Sequence, residues 1–252
     1  MSNLSTIKTR PSGRRGFDRL AEHLAIVEII LRQREQFFLE IKEGINLQGK
    51  IRSMIIASAV FLALTGAVLG SSSGIAGIGQ AMSSAVKLPI LFLLTSLICL
   101  PTLYLFNTLF GARQSIRQNL AMYLAPITVM TVMLFGFAPI VLFFLLTTND
   151  YQFFKLLNVA IFGISGFIGM WFLLKGMWII SDDQEKGVRI RRLTLLFWIC
   201  LYAFVGSQMA WTLRPFIGHP DAPFELIRQV GGNFYADVWY SLGEFLGFVT
   251  VR

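Results

Sequence analysis

Five long stretches of this chain, 53–86, 88–112, 119–149, 156–174 and 193–213, carry no charged side chain. A helix needs about 20 mostly apolar residues to cross a bilayer, and so many runs of that length cannot all be core helices of so short a chain. The pattern predicts spans near 54–69, 88–110, 120–146, 153–174 and 193–213.

Ahead of the first span the pattern changes. Between 17 and 47, Leu20, Leu24, Val27, Leu31, Phe38, Ile41 and Ile45 recur at three-, four- and seven-residue steps, which lines them along one face of a helix. Glu22, Arg32, Glu35, Glu40 and Lys42 fall on the other face. Mixed charge suits docking on protein, or pairing with a second copy, better than lying on lipid. Residues 1–16, with their Gly, Pro, Ser and Arg, read as a flexible basic arm. The expected organisation is an arm over 1–16, a cytoplasmic amphipathic helix over 17–52, a transmembrane bundle over 53–213, and a C-terminal turn and helix over 214–252.

Local signals refine the spans. The Gly- and Ser-rich segment 70–87 reads as a loop, alone or carrying a short surface helix, with Pro89 then opening the second span in its first turn, where proline is tolerated. Pro126 and Pro139 predict a bent third span. Gly163, Gly166 and Gly169 sit three residues apart in the fourth. A phosphate-binding glycine loop would need a preceding strand, so the stripe predicts close helix packing. The fifth span leads into WTLRPFIGHP. There Trp211 is a membrane-interface anchor, and Pro215 ends the helix because it forces Arg214 out of helical geometry. The aromatic segment from Phe234 contains Asp237 and Glu244. A carboxylate near mid-membrane is expensive, so this segment predicts an interfacial or re-entrant helix, with a sixth crossing as the alternative.

Composition agrees with the pattern. Only 14% of the 252 residues are charged and 55% are apolar, against about 25% charged in soluble domains. The net charge of +8 suits basic loops that meet anionic lipid and set orientation, not nucleic acid. With a cytoplasmic N-terminus, the basic N-terminal region, Arg113, Arg117 and the loop 175–192 fall inside. Only Lys87, Lys155, Arg214, Arg228 and Arg252 then lie outside. No cleavable leader is expected ahead of the first span. The expected site is a bacterial cytoplasmic membrane.

Candidate chemistry is sparse. His23 and His219 fall on opposite faces of this topology, and Cys99 and Cys200 are isolated within spans. Asp182, Asp183 and Glu185 lie beside basic residues in a mixed-charge loop. No HExxH motif occurs, and no catalytic residue, metal site or cofactor is expected. Asn107, Thr95 and Ser96 are polar positions of the second span. Asn158 and Gln208 lie about 8–10 Å below the outer surface at 1.5 Å per residue. With Arg214, Asp237 and Glu244 they form the candidate polar cluster. It reads as interhelical hydrogen bonding or as an outward polar cavity rimmed by Arg214, with Asp237 or Glu244 as its ion-pair partner. No charged side chain is expected deep in a span.

One region resembles a known family. Gly111 at the end of a span, the short loop with Ser115, Arg117 and Gln118, and the early Pro126 of the next span are similar to the helical core of the Yip-type membrane protein superfamily. That resemblance implies a multi-span protein of membrane trafficking and organisation rather than catalysis. The expected function is a non-enzymatic membrane scaffold or accessory protein. Its partners would be membrane lipids and, through the N-terminal helix, a protein or a second copy. A small-solute or ion conduit is the alternative.

Overall fold

A computed structural model describes residues 12–71, 77–109, 115–148, 151–180, 188–216 and 232–246. These form α1 (Ser12–Arg32), α2 (Arg34–Glu43), α3 (Leu47–Gly70), α4 (Gly77–Leu109), α5 (Ile116–Thr147), α6 (Tyr151–Ile180), α7 (Val188–Thr212) and α8 (Phe234–Phe245). The protein is all-α among the described residues, and α3 to α7 are long and apolar enough to cross a membrane. It is a polytopic helical membrane protein. At about 1.5 Å per residue, the 12-residue α8 is roughly 18 Å long, short of the ~30 Å hydrocarbon core.

The five spans form an incomplete ring. α3 packs against both α4 and α5, α5 continues to α6, and α4 continues to α7. α6 and α7, at the two ends of this series, have no comparable seam between them. Two glycines set the close approach of α3 and α4. A methyl group on Gly66 would collide with the Ser84 carbonyl, and one on Gly70 would reach 2.5 Å from that of Gln80. Small residues four apart allow such backbone approach in lipid. Between α3 and α5, the Ser58 and Thr128 hydroxyls meet at 3.1 Å.

The N-terminal segment is two helices. α1 begins at Ser12, inside the stretch expected to be flexible, and the helix breaks at Gln33 (φ −121°, ψ 41°). α2 ends at Gly44, whose left-handed φ of 79° favours glycine. The break shifts the buried face. Ile26, Ile30, Phe37, Phe38 and Ile41 are buried, whereas Leu31 and Ile45, assigned to the apolar stripe, are about half exposed. Phe38 fits against Gly176 of α6, where a side chain would strike its ring, and packs on Phe172. At Ser115–Gln118 the residues that carry the family resemblance form a capping box at the start of α5. The Gln118 amide also donates to the carbonyls of Lys42 (2.7 Å) and Ile41 (3.2 Å). α1 and α2 are thereby fastened to one end of the bundle. Gly111 lies outside the described residues.

α4 departs most from expectation. It starts at Gly77, so Gln80, Ser84 and Lys87 belong to a 33-residue helix rather than a loop, and Pro89 lies in its interior with Pro101. The apolar stretch after Lys87 was long enough to span alone, which hid the polar turns ahead of it.

Candidate functional site

Lys87, expected just outside the second span, belongs to α4 itself. It sits within the membrane-length part of α4 and is only 6% exposed. Gln80, Ser84 and Lys87 follow at i, i+4 and i+7, so all three point along one helix face. That face holds the chain leaving α7. Gln80 donates to the Pro215 carbonyl at 2.7 Å, Lys87 to the same oxygen at 3.2 Å, and Ser84 to the Phe216 carbonyl at 2.7 Å. α7 itself ends at Thr212, in keeping with the stop signal at Pro215. The 80/84/87 spacing was a legible signal once Gly77–Lys87 is taken as helix.

Beside this clamp, a cavity of about 890 Å³ occupies the gap between α6 and α7. α4 and α5 form its back wall through Phe92, Thr95, Pro126 and Met130. The glycine stripe explains why the gap exists. Gly169 packs on α5, where an added methyl would lie 3.0 Å from the Pro126 carbonyl, as close packing requires. Gly166 has one neighbour, Met130, at 3.6 Å, and Gly163 faces open space. All three line the cavity. The expectation of close helix packing therefore holds only for Gly169; towards Gly163 the missing side chains leave room.

α8 straps the two walls together. On the α6 side, Asp237 forms an ion pair with Lys155, Glu244 accepts a hydrogen bond of 2.7 Å from Gln152, and Phe245 packs on Phe153. On the α7 side, the Tyr235 and Ser207 hydroxyls are 2.9 Å apart, and Tyr235 stacks on Phe204. Asn233 caps the helix by accepting from the Ala236 amide at 2.8 Å. Lys155, Asp237 and Trp211 line the cavity at this end, and Arg214 lies 3.5 Å over the Trp211 ring.

The candidate polar cluster is thus only partly one site. Asn158, Arg214 and Asp237 line the cavity, whereas Gln208 and Glu244 do not. The carboxylates offered to Arg214 by the sequence are taken up by α6 instead, Asp237 by Lys155 and Glu244 by Gln152. Trp211, expected as an interface anchor, carries Arg214 over its ring and borders the cavity. Sequence reading missed Lys155 as a partner, since pairing across α6 and α8 leaves no local spacing.

Among the residues that line the cavity, Thr95 Oγ1, Asn158 Oδ1 and Trp211 Nε1 are buried without a hydrogen-bond partner. Thr95 is fully buried and Asn158 is 6% exposed, its amide nitrogen donating to the Phe154 carbonyl at 2.7 Å. Buried polar atoms are nearly always satisfied, so these three are exceptions within the bundle. Ser96 and Tyr202, by contrast, are 3.3 Å apart and satisfied locally, Ser96 donating to the Phe92 carbonyl. Among the described residues no three His, Cys, Asp or Glu side chains converge as metal ligands. Asp182, Asp183, Glu185 and His219, and the side chain of Asn107, lie outside the described residues.

Fold and site define a class: a five-span helical membrane protein with a lateral, mostly apolar cavity closed at one end by a short helix. No family model, curated protein or solved structure matches the chain.

Proposed function

We propose that this is a non-enzymatic membrane protein that takes an amphiphilic molecule from the bilayer into the α6–α7 cavity and serves as an accessory or scaffold subunit. The carrying observation is the cavity itself, apolar along most of its wall, with the polar residues Thr95, Asn158 and Lys155 among those that line it. Its volume falls within the roughly 300–1,000 Å³ of small-molecule sites. A wall dominated by alkyl and aromatic groups suits a lipid-like molecule and offers little to a hydrated ion, which weighs against the conduit reading. The scaffold role draws on the N-terminal helices, where Ile29, Leu31, Leu39 and Ile45 remain exposed after docking. A Yip-like organisation around Ser115, Gln118 and Pro126 accords with a non-catalytic role.

Affinity purification in mild detergent, with mass spectrometry of co-eluting proteins and lipids, tests both parts. A tightly held lipid-like molecule should accompany the wild-type chain and be lost from Gly163→Leu, whose side chain enters open space. If no molecule is retained above the detergent background, the cavity reading is wrong. If no protein or second copy is retained, the scaffold role is wrong.

A further inference from the structure

A second opening lies at the end of the bundle where α1 and α2 dock. Between α3 and α5, a groove of about 510 Å³ includes Gln48, Arg52, Ile55 and Ile56 of α3 and Arg117 and Leu120 of α5 in its lining. Both helices start at this face, α3 beside the Lys50–Glu40 pair and α5 where Gln118 meets the Lys42 carbonyl. On each helix the polar residues come first, Gln48 and Arg52 before the isoleucines and Arg117 before Leu120. At 1.5 Å per residue the 24-residue α3 is about 36 Å long, against a ~30 Å hydrocarbon core. That excess puts the stretch up to about Arg52 at head-group level, where an arginine keeps its guanidinium. Both arginines are exposed, and among the described residues neither joins an ion pair or a hydrogen bond. No acidic side chain lines the groove among the described residues.

We infer that this groove binds the head group of an anionic phospholipid from the adjoining leaflet. Two exposed guanidinium groups without partners are free to turn to one ligand, and the planar fork of arginine matches a phosphate. With no carboxylate in the lining, two cations favour a head group of net negative charge over a zwitterionic one, whose ammonium would meet like charge. The groove's residues all lie within helices long and apolar enough to cross the membrane. That position selects a lipid over a soluble anion. Only the head group enters; the acyl chains stay in the bilayer, starting along Ile55, Ile56 and Leu120. The site shares no lining residue with the α6–α7 cavity and stands independently of what that cavity holds.

The full-length chain, purified in detergent, is loaded with phosphatidylglycerol carrying a photoreactive group near its ester. Cross-links at Ile55, Ile56 and Leu120 report this groove alone. Unlabelled phosphatidylglycerol should displace the probe there about twenty-five-fold better than phosphatidylcholine, roughly five-fold from each arginine. Arg52→Gln and Arg117→Gln should each lower that preference about five-fold, and the double variant should lose it. Lys42→Gln, which removes an exposed charge from α2 at the same face, should leave it unchanged. Equal competition by the two lipids in wild type overturns the site, as does a preference that survives in the double variant. An equal loss in Lys42→Gln would overturn it in favour of diffuse surface attraction. Displacement by glycerophosphoglycerol as effective as by the intact lipid would overturn the lipid assignment.

Discussion

Gly176 and Gly163 stand thirteen positions apart on the same helix and have opposite surroundings. At Gly176 the Phe38 ring occupies the place of a side chain, and at Gly163 nothing lies within 4 Å. Phe38 is fully buried, and burying such a ring stabilises docking by about 1.5–3 kcal/mol. Gly176→Leu should therefore expel Phe38 and destabilise the α2 contact by about 1–3 kcal/mol, the usual cost of overpacking. Gly163→Leu should leave it unchanged. Thermal unfolding in detergent, together with proteolysis within α1–α2, measures both. Equal effects of the two substitutions would remove Gly176 as a docking notch. Neither environment could be read from the glycine spacing, because the stripe is periodic whether its neighbour is a helix, a ring or empty space.

At the scale of elements, α2 is held by a polar clip as well as by its apolar face. Lys50, almost fully buried, donates to Glu40 at 2.6 Å and to the Ile45 carbonyl at 3.1 Å. The hydrogen bond from Lys50 holds the Glu40 carboxyl below its ordinary value of 4.5, with burial opposing and Gln36 assisting. A depressed carboxylate pKa contributes stability that is present above 4.5 and is lost as pH falls through the lowered value. Protease protection of α1–α2 should accordingly hold from pH 7 to about 5 and decline below 4.5. In Glu40→Gln that decline should be absent and protection at pH 7 a few-fold lower. Because Glu40 is about one-third exposed, solvent screening keeps the effect modest. The amphipathic periodicity revealed that a helix precedes the spans. It did not reveal the break at Gln33, since Arg-Gln-Arg continues a helical polar face without glycine or proline. Across that break the buried positions change phase, from Ile26 and Ile30 to Phe37, Phe38 and Ile41.

For the whole molecule, five spans put α1 and α2 at one membrane face and α8 at the other. We propose that the α1–α2 face is cytoplasmic, because Arg113, Arg117 and the basic residues of 175–192 lie in the short connections on that side or in the helix ends that flank them. A reporter fused after residue 252 should be active only outside the cytoplasm, and one fused at 184 only inside it. The same activity for both would refute the five-span orientation.

The membrane class, the five spans and the exit at Pro215 were legible in the chain alone. Each depends on one segment at a time: its apolar length against the bilayer thickness, or a proline that cannot continue a helix. The start of α4 was not, because Gly77–Lys87 is polar enough to read as a loop until its Gln80, Ser84 and Lys87 meet the carbonyls of Pro215 and Phe216. Only the tertiary structure decided that α6 and α7 stand apart, that Gly163 opens on a cavity, and that Asp237 pairs with Lys155. In a bilayer, lipid and protein neighbours are equally apolar, so a span is hydrophobic all round and its pattern does not say which face meets which helix. Those contacts are properties of pairs of segments distant in sequence, and they exist only once the bundle has assembled.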